Sequence, residues 1–85
     1  MKHEVEKIIG KRIVGVVMKE TKKEFQPSSQ LFLLFDDHTS YEFYSDDGYI
    51  NSTGSIGTLS LDEILHETDD RTRVALQASL PDVSM

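Results

Sequence analysis

The sequence has no cysteine, no tryptophan and only two prolines, and its longest unbroken apolar stretch, Leu31–Phe35, is five residues. Without cysteine there is no disulfide framework, thiolate metal centre or cysteine nucleophile, and the composition suits a reducing cytoplasm, the expected location. Without a long apolar run there is no helix of the ~20 residues needed to cross a bilayer, and the residues after Met1 lack the apolar stretch of a signal peptide. No membrane partner is expected.

Positive charge is missing from one long region. Residues 24–70 carry eleven Asp and Glu and no Lys or Arg, whereas residues 1–23 carry seven Lys and Arg and three Glu. The net charge is −6. Nucleic acid is held by contiguous positive surface, so an acidic middle excludes it as an expected partner. A basic protein docking on acidic surface fits better, as does an acidic mimic occupying a partner's basic site.

Catalytic motifs are also absent. There is no Gly-x-Ser-x-Gly elbow and no phosphate-cradling glycine loop. His3, His38 and His66 are not spaced three or four apart, as helical metal pairs are. Setting Gly48 at the invariant glycine of an EF-hand loop puts Phe43 at the first ligand position and Gly54 at the last, which rules out that calcium site. No metal or cofactor is expected.

What is present is a strong hairpin signal. Six of the seven Phe and Tyr residues lie between Phe32 and Tyr49. Leu31–Phe35 and Tyr41–Tyr44 flank Asp36-Asp37-His38, a break suited to a turn with His38 in the left-handed region. A two-residue loop, Asp37-His38, pairs Leu34 with Tyr41 and Phe32 with Phe43. A three-residue loop, Asp36-Asp37-His38, puts Leu31, Leu33 and Phe35 on one face with Tyr41 and Phe43. The two-residue loop gives the cleaner apolar face and is the expectation.

Around this hairpin the chain predicts a short helix over residues 2–10 ending at Gly10. A strand follows over 11–19, with a bulge or close approach at Gly15. Residues 49–52 supply a fourth strand. Ser60-Leu61-Asp62-Glu63 is a capping box, with Leu59 and Ile64 as its hydrophobic staple, opening a helix from Leu61 to His66 or Glu67. Residues 71–80 alternate like a strand, but their Ala, Leu and Gln content predicts helix. The expected fold is one α+β domain over residues 1–85: an antiparallel meander of three to four strands with two or three short helices packed on it.

A strand that is apolar on both sides needs cover on both sides. In a chain of 85 residues that cover is expected to come partly from a second copy, a standard interface removing about 800 Å² from each partner. The expected function is therefore a non-enzymatic protein-interaction module that forms a homodimer. Its candidate interaction residues are Leu33, Phe35, Tyr44, Tyr49, Asp46 and Asp47, the tyrosines and acids being suited to hold a Lys or Arg side chain. The alternative is a small ligand- or metal-dependent enzyme or binder that uses the acidic aromatic face around His38, Glu42 and Asp47.

Overall fold

A computed structural model of the protein describes residues 4–21, 28–46, 49–66 and 72–80. The elements run in the order 3-10 turn (Val5–Ile8), β1 (Ile13–Thr21), β2 (Ser28–Phe35), β3 (Ser40–Asp46), β4 (Tyr49–Ser52), α1 (Leu61–His66) and β5 (Thr72–Ser79). All five strands belong to one antiparallel sheet of order β4-β3-β2-β1-β5.

This overturns the expected multi-helix α+β packing: the molecule is mostly a five-stranded antiparallel sheet carrying one short helix and one 3-10 turn. Two segments account for the difference. Val5–Ile8 is too short to persist by propensity and buries none of its own side chains, so only a 3-10 turn forms. Gly10 does end it in the left-handed region, at φ 86°. Thr72–Ser79 becomes β5 because the free side of β1 supplies a ladder for it, and sheet pairing outweighs a helix propensity of a few tenths of a kcal/mol per residue.

The hairpin takes the three-residue loop, so the expectation of a two-residue turn is also corrected. Leu33 pairs with Tyr41 and Leu31 with Phe43. Phe35 N–H donates to Thr39 O (2.9 Å), and His38 occupies the left-handed region at φ 66°. The loop is fixed by Asp37, whose carboxylate accepts from the Thr39 N–H (3.1 Å) and hydroxyl and from Lys11. A two-residue turn would leave these groups without that geometry.

The bulge expected at Gly15 is present as a register shift between Ile13 and Gly15. A Cβ there would stand 3.3 Å from Leu34 Cδ1. The capping box closes in both directions: Glu63 N–H donates to Ser60 Oγ (3.2 Å), and Ser60 N–H to Glu63 Oε1 (3.1 Å). Leu61 and Ile64 then reach the sheet, where they pack with Val17, Phe32 and Leu34, flanked by Val14, Leu59, Leu65 and Val74. This is the larger part of the core, on one side of the sheet; Phe35 and Tyr41 are buried on the other side.

Candidate functional site

Strand alternation and the observed register assign every sheet residue to one of two faces. The α1 face carries the rows Ser79–Gly15–Leu34–Ser40, Gln77–Val17–Phe32–Glu42 and Val74–Lys19–Gln30–Tyr44–Asn51. The opposite face carries Ala78–Val16–Leu33–Tyr41, Leu76–Met18–Leu31–Phe43–Ser52 and Arg73–Glu20–Ser29–Ser45–Ile50. The first two rows of this second face are almost entirely apolar.

At its turn end the second face is closed. Phe35 and Tyr41 are buried, and the Lys11 ammonium stands 5.7 Å from the Phe35 ring centroid. Tyr41 meets Phe43 edge to face at 5.2 Å, and its hydroxyl lies 3.0 Å from Ser52 Oγ. The segment before β1 is held near this end: Glu4 N–H donates to Gly54 O and Ile56 N–H to Glu4 Oε1, both at 2.9 Å.

Away from that end the face is open. Val16, Met18, Leu31, Leu33 and Phe43 are only half-buried, Leu76 is 49% exposed and Ile50 81% exposed. Among the described residues the one α-helix does not lie over them, since α1 packs on the other side. The charges in these rows, Glu20 and Arg73, neutralise each other at 2.7 Å at the edge of the patch. An open, uncharged, apolar sheet face can do one thing well, which is to pack on another apolar surface.

The structure divides the candidate residues expected from sequence. Leu33 is central to the open face and Phe35 lies buried at its closed end. Tyr44 and Tyr49 are on the α1 face, at its far margin, with Tyr49 73% exposed. Asp46 stands opposite Tyr49 in the ladder, and Asp47 lies outside the described residues. The six residues thus do not form one surface.

Of the alternative cluster, His38 and Glu42 are described and Asp47 lies outside the described residues. His38 is exposed at the tip of the turn, whereas Glu42 is a mid-strand residue of the α1 face, accepting from Gln30 Nε2 at 2.9 Å. Among the described residues no group of three or more His, Asp and Glu could hold a metal ion. On the same face Lys19 is 2% exposed, its ammonium 5.4 Å from the Phe32 ring centroid, so its long side chain serves as part of the packed layer.

Val16, Met18, Leu76 and Ala78 were missed. Val16 and Met18 alternate with buried Val17, a signal present in the sequence; but only the β1–β2 register sets them beside Leu33 and Leu31. Leu76 and Ala78 join them only because residues 72–79 are a strand.

No family model, curated protein or solved structure matches the chain. No helix among the described residues is long and apolar enough to cross a membrane.

Proposed function

We propose that the protein is a non-enzymatic protein-interaction module that self-associates through the open face of its sheet. The observation that carries this reading is the half-exposed apolar belt Val16–Leu33 and Leu76–Met18–Leu31–Phe43, over which no described α-helix lies. Two such faces pack about 10 Å apart with their strands within about 30° of each other, as in a β-sandwich, leaving each α1 on the outside.

Charge supports a second copy as the occupant. A chain of net charge −6 repels itself, and self-association needs a surface from which acids are absent. The belt meets that need, because the one acid in its rows, Glu20, is paired with Arg73. A reducing cytoplasm suits this cysteine-free chain, and its acidic surface repels nucleic acid.

Sedimentation equilibrium at micromolar concentration tests the reading. The expected mass is at least twice the 9.7 kDa of the protomer. A monomer throughout the accessible concentration range rules it out.

A further inference from the structure

β5 closes one side of the sheet, in the order β4-β3-β2-β1-β5. Leu80 N–H donates to Val14 O at 2.9 Å, continuing the register Gly15–Ser79, Val16–Ala78, Val17–Gln77 and Met18–Leu76. In an antiparallel ladder the backbone groups of alternate residues point to opposite sides. Those of Leu76, Ala78 and Leu80 therefore point at β1, and those of Gln77 and Ser79 point away from it, where no described strand lies.

Edge strands are ordinarily blunted by lysine, proline or inward-pointing charge. Leu76–Leu80 has none of these. The one charge of β5, Arg73, is drawn onto Glu20, and the register shift near Val74 and Leu76 confines the regular run to Leu76–Leu80. That run, Leu-Gln-Ala-Ser-Leu, reads the same in both directions in apolar and polar character, and all five residues are exposed.

We infer that Leu76–Leu80 is a second self-association surface, pairing antiparallel with the same segment of another copy across a two-fold axis at Ala78. In this register Leu76 stands opposite Leu80 of the partner subunit, and Ala78 opposite the partner's Ala78, on the open-face side. Gln77 stands opposite the partner's Ser79 on the α1 side, and each such pair exchanges both backbone hydrogen bonds through the outward-pointing groups. Apolar meets apolar, polar meets polar, and no acid is involved. The inference rests on the reading of the protein as self-associating but uses the outward backbone groups of β5, whose Leu76 and Ala78 also border the open face. An edge contact and a face contact use different groups, and where their two-fold axes meet at right angles the two together close into a dimer of dimers.

Ala78 faces its own counterpart only in this register, and this makes a specific experiment possible. Ala78→Lys and Ala78→Glu each set like charges opposite one another. Each alone is expected to lower the sedimentation-equilibrium mass twofold, with far-UV circular dichroism unchanged from the parent, and an equimolar mixture to restore the parent mass. Because Ala78 also borders the open face, the deciding variant is Gln77→Pro on the α1 side, which removes an outward N–H while leaving the β1 ladder intact and should give the same twofold fall. If Gln77→Pro keeps the parent mass while Leu33→Asp lowers it, β5 pairing is overturned and the face contact stands. Loss of mass in the β5 variants without recovery on mixing also overturns the two-fold pairing. A parent that sediments at 9.7 kDa overturns both contacts.

Discussion

The two faces of this sheet are built from the same strands and differ in what lies over them. Val17 and Val16 are consecutive, as are Phe32 and Leu33. Val17 and Phe32 are sealed under Leu61 and Ile64, while Val16 and Leu33 remain half-buried on the other side. A six-residue helix covers one face of one sheet, and no described helix covers the second. Apolar content in a strand does not by itself locate a core. The core forms where a second element can reach, and the remaining apolar surface becomes available for binding.

The largest test of this contrast is a matched pair of truncations. Ile64→Ala, inside the covered core, should destabilise the protein by about 2–5 kcal/mol in urea unfolding. Leu31→Ala, on the open face, should cost well under that in dilute protein, and its cost should grow with protein concentration as the face becomes buried between copies. Equal, concentration-independent losses at the two positions would mean that the faces are equally covered.

A smaller effect sharpens the account of how the cover is placed. Ser60→Ala removes one half of the reciprocal cap and should cost about 1 kcal/mol, read as a lower urea midpoint with unchanged slope. No loss in that variant would mean that the start of α1 is held by Leu61 and Ile64 alone.

The smallest effect concerns the turn end, where the open face is closed. The hydrogen bond from Lys11, and then that from Thr39, holds the Asp37 carboxyl down at about 2, from an ordinary 3.8. A carboxylate depressed in the folded state contributes stability that is present above its ordinary pKa and lost as pH falls through the folded one. The window is therefore about pH 4 to 2. Because Asp37 is exposed the change in stability should be slight, so the readout is the carboxyl titration by NMR. Lys11→Met should move that titration upward toward its ordinary value; an unmoved midpoint would show that Thr39 alone sets it.

Much of the fold was legible where the cause is local. The capping box at Ser60 and Glu63, the left-handed His38, the left-handed Gly10 and the bulge at Gly15 all follow from the chemistry of a few adjacent residues, and all are present. The strands around the hairpin were legible for the same reason. The candidate site was legible only in part. Leu33 belongs to the open face, but Tyr44 and Tyr49 were grouped with it because nearness in sequence says nothing about side when the strand period is two.

The sequence alone determined that this chain makes a hairpin richer in apolar side chains than one helix can cover, on a protein whose acids are concentrated away from its basic first segment. Tertiary structure alone decided which of those side chains stay open. A one-residue difference in loop length moves every residue of a strand to the other face, and residues 72–79 become strand rather than helix only because β1 offers a free ladder. Both are choices between local alternatives of similar energy, settled by contacts distant in sequence.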